Sequence, residues 1–260
     1  IARITLGWAK KTISKTVLVG NNLLLGSFIT SLEQIKASAK DKHFQDTKTV
    51  AANMAAILFT SGSTGIPKGV VYTHANFTAQ HEALKNLYKI QAGEIDLATF
   101  PLFALFAPAL GMTSVIPKMD FTRPGHVNPK TIIDAVNDYK CTTMFGSPAL
   151  LNRVGKWGGA NERKLPTLKR VLSAGAPVAP SVLTRFKSLL NDDVQIFTPY
   201  GATESLPVSS VGSNVILDET AAATSEGKGV CVGKPVSSLD TRIIKITDDV
   251  ISNWDNDLAL

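Results

Sequence analysis

Cysteine is scarce: only Cys141 and Cys231 occur among 260 residues. They lie far apart in apolar settings, so no disulfide framework is expected, and both read as buried thiols of a reducing compartment, the cytoplasm. Histidine is nearly as rare. His43, His74, His81 and His126 never meet cysteine or carboxylate at ligand spacing, which argues against a zinc site. Aromatic residues make up 7% of the chain and are not interleaved with basic repeats, so the nucleic-acid-binding pattern is missing. Repeats and low-complexity tracts are missing as well. Residues 97–117 carry no charge, but Pro101, Pro108, Gly111 and Pro117 interrupt them. They read as a buried strand, a turn and a short helix, not as a membrane span.

What is present is globular. Hydrophobic residues account for 44% and charged ones for 18%, enough apolar material for a sizeable core. The formal net charge of +6 is unevenly placed: residues 1–48 hold eight Lys or Arg against three acids. Such a basic end reads first as a solvated face, with contact with an anionic membrane surface or an acidic pathway enzyme as the alternative.

Along the chain, residues 1–48 are the hardest to read: 18–28 is apolar around Gly20 and Gly26, and 31–42 has helical character. From residue 50 strands and helices alternate. Strands are predicted at 55–60, 70–73, 95–100, 141–145, 169–172 and 194–198. A helix is predicted at 75–89, with Thr73 or Asn76 as its cap. Asn128-Pro129 and Ser147-Pro148 each pair a capping side chain with a first-turn proline and open further helices, and 180–190 reads as another. This alternation argues for an α/β fold with βαβ layers and mostly parallel sheets. After Ser205 helices thin out, and the alternation at 240–246 predicts a strand in a β-richer end.

Three strands run into polar, glycine-containing loops, 61–69, 173–178 and 200–204, which are expected to converge beyond the strands' carboxyl ends. In Thr60-Ser61-Gly62-Ser63-Thr64-Gly65-Ile66-Pro67-Lys68-Gly69, glycines let backbone N–H groups turn toward an anion. Hydroxyls add donors, and Lys68 adds a compact positive charge. A polyphosphate is the natural ligand. The spacing is neither that of a Walker loop nor that of the dinucleotide fingerprint; a plain Ser/Thr/Gly surface loop is the alternative. Ser173-Ala174-Gly175-Ala176-Pro177 lets a flat group approach the backbone, or is simply a tight turn. In Tyr200-Gly201-Ala202-Thr203-Glu204, Tyr200 can stack on a base and Thr203 can donate to a phosphate. Glu204 can hold Mg²⁺ beside a polyphosphate; a surface turn is the alternative.

These loops resemble the adenylate-forming superfamily of acyl-CoA synthetases, luciferases and peptide-synthetase adenylation domains. Residues 58–69 and 200–204 match its phosphate loop and its Tyr-Gly-x-Thr-Glu line, Gly175-Ala176-Pro177 its adenine-side loop, and 229–235 a later segment. Within it, residues 100–106, 173–178, 199–207, 221–224 and 229–233 look like the olefin-biosynthesis branch that makes β-lactones. The resemblance covers about residues 50–250. It implies the family's large N-terminal domain: a basic part at 1–48, a nucleotide- and acyl-binding α/β part at 49–205 and a β-rich part at 206–260. The family's later Tyr-Arg-Thr-Gly-Asp line and its small C-terminal lid domain are absent from this sequence.

The resemblance also implies the chemistry. ATP would activate a long-chain acyl or β-hydroxyacyl carboxylate, and in the lactone branch the substrate's own hydroxyl would then displace AMP. Thr60, Ser61, Gly62, Ser63, Thr64, Gly65 and Lys68 would hold the β- and γ-phosphates. Gly175, Ala176, Pro177, Tyr200 and Gly201 would hold adenine. Thr203 would contact the α-phosphate and Glu204 the Mg²⁺, with Lys68, Thr203 and Glu204 as the catalytic set. Ala104 stands where acyl-CoA synthetases often carry histidine, which favours lactone closure over thioester formation. An acyl-CoA synthetase and a non-catalytic nucleotide- or acyl-binding module remain as alternatives.

Overall fold

The chain divides into two units, Ile1–Thr49 and Val50–Leu260. The computed structural model describes residues 6–7, 9, 11–20, 29–40, 43, 45–60, 67–244, 246, 248 and 250–251, and the structural statements below refer to these. In the first unit, β1 (Val17–Leu18) pairs in parallel with β2 (Thr30–Ser31). A capping box then starts α1 (Leu32–Ser38). Ser31 Oγ accepts from the Gln34 N–H at 3.1 Å, and Gln34 Oε1 accepts from the Ser31 N–H at 2.9 Å. Two orphan donors are thereby satisfied. The helix ends at Ser38, short of the expected residue 42, and buries none of its residues. Most of the apolar stretch 18–28 lies outside the described residues.

The second unit opens with β3 (Met54–Phe59) and β4 (Gly69–Thr73), which pair antiparallel as a two-stranded sheet of their own. The expectation that both strands belong to parallel layers is therefore corrected. Their connection, residues 60–68, is shorter than the dozen or so residues a parallel crossover needs. Thr73 then caps α2 (His74–Tyr88): its Oγ1 accepts from the Asn76 N–H at 3.3 Å, and Asn76 Oδ1 accepts from the Thr73 N–H at 2.8 Å.

The main sheet follows. Its strands are β5 (Ile95–Leu97), β6 (Thr113–Val115), β7 (Thr143–Phe145), β8 (Arg170–Leu172), β9 (Gln195–Ala202), β10 (Ser205–Gly212) and β11 (Lys234–Pro235). Between them lie a 3₁₀ turn (Pro101–Leu105), α3 (Phe106–Ala109), α4 (Pro129–Asp138), α5 (Pro148–Ala160) and α6 (Pro180–Lys187). A π-helical turn (Val215–Thr220) and α7 (Ala221–Ser225) come later. The order is β11-β10-β9-β8-β7-β5-β6. From β6 to β9 every pairing is parallel, and β10 and β11 are antiparallel. The strand order reverses between β5 and β7, the kind of switch point that leaves a crevice in an open α/β sheet.

Side-chain alternation builds a helix layer on each face of this sheet. On one face, Leu97, Met144, Val171 and Ile196 meet Ile132, Ile133 and Val136 of α4, Leu150, Leu151 and Val154 of α5, and Leu183 and Phe186 of α6. Each of these side chains is fully buried, and burying one stabilises the fold by roughly 1.5–3 kcal/mol. On the other face, Leu172 and Phe197 meet Leu84, Leu87 and Tyr88 of α2, Ala107 of α3 and Met112. Small residues let α5 approach α6 closely: a Cβ at Gly155 would stand 3.2 Å from the Phe186 backbone.

Four further expectations are corrected. β5 stops at Leu97, not at residue 100, because the chain turns into the proline-led 3₁₀ segment. The uncharged stretch 97–117 holds β6 in addition to the turn and helix. β9 continues through Tyr200, Gly201 and Ala202 because β10 pairs with it in an antiparallel hairpin, so the expected loop 200–204 shrinks to a turn at Thr203 and Glu204. The described residues of 240–246 carry no strand: no neighbouring strand pairs with them, so alternation alone does not make one. Among the described residues no helix is long and apolar enough to cross a membrane.

Candidate active site

Two cavities lie side by side near the carboxyl ends of β8 and β9, and Pro199 lines both. The first, of about 610 Å³, is walled by Gly175, Ala176 and Pro177 after β8, by Tyr200 and Gly201 of β9, and by Val230, Cys231 and Val232. Gly175 adopts φ +93° with open space where a Cβ would stand, so only glycine both relieves the strain and leaves the wall thin. The Tyr200 ring is 54% exposed and is free to present a face to the cavity. Ser173, 1% exposed, also lines it, and its Oγ has no hydrogen-bond partner. A buried hydroxyl without a partner is costly unless a ligand or water meets it.

The far wall is pinned to the sheet. Ser209 Oγ donates to the Val232 carbonyl at 2.7 Å, and Gly233, at φ +83°, packs where a Cβ would meet the Ser210 carbonyl at 2.0 Å. This close approach is why the segment needs a glycine there. Cys231 is only half-buried and faces the cavity. The expectation of a buried thiol holds for Cys141 and is corrected for Cys231, because its segment forms a cavity wall and not a core layer.

The second cavity, about 130 Å³, is apolar and sits between the sheet and the α2–α3 layer at the β5/β7 switch point. Phe103, Phe106 and Phe145 pack edge to face around it, the favoured geometry for aromatic quadrupoles. Four residues with polar groups interrupt this apolar lining: Gln80 and Tyr88 of α2, Asp96 of β5 and Thr143 of β7. The Tyr88 hydroxyl pairs with Ser210 Oγ, and Thr143 Oγ1 accepts from Arg170. Asp96 is 8% exposed. Among the described residues no hydrogen bond or ion pair reaches its carboxyl, and burial alone pushes it up from 3.8 to about 7. Gln80 Nε2 donates to the Leu206 carbonyl at 2.9 Å, whereas its buried Oε1 has no partner.

Below this cavity Arg170 forks onto Glu94 through Nη1 and Nη2 and donates to Thr143 Oγ1 at 2.7 Å. Burial pushes the Glu94 carboxyl up. The hydrogen bonds from Arg170, the Gln91 N–H and Thr142, with the guanidinium charge, outweigh burial and hold it below its ordinary value.

The predicted site residues fall into three groups. Gly175, Ala176, Pro177, Tyr200 and Gly201 come together around the first cavity. Thr60 and Lys68 face each other across the base of the β3–β4 connection: the Thr60 N–H donates to the Lys68 carbonyl at 2.9 Å, and the Lys68 N–H donates to Thr60 Oγ1 at 3.4 Å. Ser61, Gly62, Ser63, Thr64 and Gly65 lie outside the described residues. Thr203 and Glu204 form the β9–β10 turn, and Glu204 lines a neighbouring groove of about 650 Å³ with Tyr72 and Gln80. The Tyr72 hydroxyl donates to the Thr203 carbonyl at 2.5 Å.

Sequence reasoning did not single out Tyr72, Gln80, Asp96 or Ser173 as site residues. One signal was available: Asp96 is a lone acid in the apolar run Ile95-Asp96-Leu97-Ala98 of a strand expected to be buried. The AMP-binding enzyme family matches residues 8–253. The chain belongs to this family. It is 47% identical over 254 residues to the olefin beta-lactone synthetase of Stenotrophomonas maltophilia strain K279a, covering 98% of this chain and 45% of that protein. To the olefin beta-lactone synthetase of Xanthomonas campestris pv. campestris it is 45% identical, covering 98% of this chain and 44% of that one. The chain thus spans a little under half the length of these relatives. Among solved structures, the amide bond synthetase McbA from Marinactinospora thermotolerans superposes with a TM-score of 0.65 at 19% identity, covering 89% of this chain and 44% of that chain. That likeness shows the fold of this adenylate-forming family: α/β, with a mostly parallel central sheet.

Proposed function

We propose that this chain forms the nucleotide- and acyl-binding part of an ATP-dependent, AMP-forming enzyme that adenylates a long-chain β-hydroxy acid and closes it to a β-lactone. The observation that carries the reading is the pair of cavities sharing Pro199, one walled by small residues and a tyrosine ring, the other apolar. A carboxylate held at Pro199 meets a nucleotide on one side while its chain runs into apolar surroundings on the other. Family membership supports adenylation. The 47% identity to an olefin beta-lactone synthetase and Ala104, in the place of a common acyl-CoA synthetase histidine, favour the lactone branch.

In this reading ATP is a substrate. Tyr200 and Gly175-Ala176-Pro177 enclose the adenine, with Gly201 behind them, and the orphan Ser173 Oγ serves a polar atom of the nucleotide. Thr60, Ser61, Gly62, Ser63, Thr64, Gly65 and Lys68 steady the β- and γ-phosphates, and Thr203 contacts the α-phosphate. Glu204 holds Mg²⁺, which supplies charge neutralisation on the phosphates. An exposed carboxylate fits that ion, which binds through one or two carboxylates plus phosphate oxygens, and among the described residues no cluster of three ligating side chains offers an all-protein cage. A substrate carboxylate oxygen attacks the α-phosphorus and the bond to pyrophosphate breaks. The β-hydroxyl oxygen then attacks the activated carbonyl carbon. The carbon–oxygen bond to AMP breaks, AMP leaves with the electron pair, and the hydroxyl proton passes to the departing phosphate. Positioning and charge neutralisation carry most of such catalysis. The free cysteines suit a cytoplasmic setting, and the basic residues within 1–48 suit contact with an anionic membrane or a pathway enzyme.

The test uses the full-length protein with ATP, Mg²⁺ and a β-hydroxy acid. AMP, pyrophosphate and a β-lactone are expected without coenzyme A. A strict need for coenzyme A with a thioester product would make the protein an acyl-CoA synthetase. Tight ATP binding without pyrophosphate release would make it a binding module.

A further inference from the structure

The turn that bears Thr203 and Glu204 is attached to the sheet through an irregular hairpin. Between the pairs Ser205–Ala202 and Ser209–Tyr200, β10 advances four residues while β9 advances two. Residues 206–208 are thereby out of one-to-one register, and Pro207 has no N–H to give a ladder. Strand pairing alone fixes such a turn poorly. Two side chains from outside the hairpin fix it instead. Tyr72 of β4 donates to the Thr203 carbonyl. From α2, Gln80 Nε2 donates to the Leu206 carbonyl at 2.9 Å and reaches the Tyr72 hydroxyl at 3.5 Å. A carbonyl only accepts, so the amide NH₂ must face Leu206, which leaves Gln80 Oε1 on the other side, buried without a partner. Gln80, Leu206 and Pro207 line the apolar cavity and also the groove that contains Glu204. Their contact is the partition between the two.

We infer that Gln80 is a positioning residue for adenylation: by holding the Leu206 carbonyl it fixes the β9–β10 turn from the α2 side, so that Thr203 and Glu204 stand ready for the α-phosphate and the Mg²⁺. Leu206 follows Glu204 by two residues, so a shift of its carbonyl carries the turn with it. Tyr72 pins the turn at Thr203, before Glu204, and Gln80 pins the chain just after it. One pin leaves the turn free to swing; two remove that freedom. Gln80 itself meets neither phosphate nor metal and acts through Leu206. This role rests on the reading above, in which Thr203 and Glu204 serve ATP and its metal. Placement matters there because a displacement of about 1 Å can cost on the order of a hundredfold in rate.

The test measures ATP binding to the full-length protein by calorimetry, with Mg²⁺ and with EDTA, beside acid-dependent ATP–pyrophosphate exchange. Gln80→Met keeps the length of the side chain and the apolar wall and removes both polar groups. Gln80→Glu, ionised at pH 8, keeps acceptors and removes the donor. Both variants are expected to weaken ATP binding in Mg²⁺ and to slow exchange roughly tenfold, with binding in EDTA and the KM for the acid within about twofold of wild type. A loss of folding stability alone would not spare one kind of ATP binding and weaken the other. If Gln80→Glu behaves as wild type while Gln80→Met is impaired, Oε1 is the working group and the positioning role is overturned. A raised KM for the acid with unchanged binding in Mg²⁺ also overturns it, and makes Gln80 a wall of the apolar cavity. Should Gln80→Met fail to fold, Gln80→Glu decides alone. Glu204→Gln separates this role from the reading beneath it. If Glu204→Gln abolishes the gain in affinity from Mg²⁺ and the Gln80 variants keep it, the metal reading stands and the positioning role falls. Wild-type affinity indifferent to Mg²⁺ removes both.

Discussion

The hydroxyl of Tyr72, in β4, donates to the backbone carbonyl of Thr203, in the β9–β10 turn, at 2.5 Å. Two segments more than a hundred residues apart are thereby joined: the hairpin that bears Thr60 and Lys68, and the turn that bears Thr203 and Glu204. Tyr72 is buried and its ring packs on Phe77 of α2 with centroids 5.1 Å apart, so the tether is anchored at its other end by packing. Tyr72→Phe keeps the ring and deletes the tether. Stability should fall by about 1 kcal/mol, the usual net worth of one hydrogen bond. Pyrophosphate exchange should fall further than that implies, roughly tenfold, because a small misplacement of catalytic groups is costly. An unchanged exchange rate in a folded Tyr72→Phe protein would show that the hairpin and the turn act independently.

Glu94 and Asp96, one residue apart on each side of Ile95, respond to pH in opposite directions. Asp96 in the folded protein holds its proton up to about pH 7, against an ordinary value of 3.8. Between those values the folded state binds more protons than the unfolded one, so stability falls as pH rises through that window, by at most roughly 4 kcal/mol at 1.36 kcal/mol per unit. Glu94 lies below its ordinary 4.5, so its contribution is present above that pH and is lost as pH falls through its folded value. Cys141, which burial first and the Asp96 charge second push up to about 11, stays neutral across this range. Urea unfolding of Asp96→Asn from pH 4 to 8 should therefore lose the decline toward neutrality while keeping the acid-side loss due to Glu94.

The partner of Glu94 gives a related expectation. Arg170 is the buried cation on that carboxylate, and removing one member of a buried pair leaves the other uncompensated. Arg170→Met should destabilise the fold by about 3–5 kcal/mol, read as a lower urea midpoint. The double change Arg170→Met with Glu94→Leu should recover much of the loss, since a well-packed apolar pair avoids desolvation altogether.

How much of this was legible follows from the range of the interactions. Asn128-Pro129 and Ser147-Pro148 announce α4 and α5 because capping is local chemistry, and both side chains cap as expected: Asn128 Oδ1 accepts from the Lys130 N–H at 3.1 Å and Ser147 Oγ from the Leu150 N–H at 3.4 Å. That the segments around Gly175 and Tyr200 meet at one cavity was legible because residue type and strand end coincide. The extension of β9 through Ala202 was not, since it depends on the partner strand β10. Nor was the separation of β3 and β4 from the main sheet: the short connection 60–68 bears only on their antiparallel pairing, not on which sheet they join. Asp96 was the hardest: whether a strand residue faces a core or a cavity is settled by its neighbours in β6 and β7 and by the helices above them, not by its own segment.

Gly201 shows why a residue can match a binding motif for a structural reason. A Cβ there would stand 2.5 Å from the Ser205 carbonyl and 2.8 Å from Leu206 Cδ1, so the hairpin itself demands glycine. Tyr200, its neighbour, carries no such demand. Its ring is half-exposed, and it can be removed without opening the core. Gly201→Ala should therefore lower stability and activity together, by distorting the β9–β10 pairing. Tyr200→Ala should leave the unfolding midpoint within about 0.5 kcal/mol of wild type, as surface substitutions usually do. Stacking of an aromatic side chain on a base contributes about 1–3 kcal/mol, so the KM for ATP should rise by roughly 5- to 150-fold in Tyr200→Ala, and Tyr200→Phe should restore it. The distinguishing measurement is the pair of KM values beside the pair of unfolding curves. If Tyr200→Ala shifts the curve and not the KM, the ring is a packing element of the cavity wall and the base lies elsewhere.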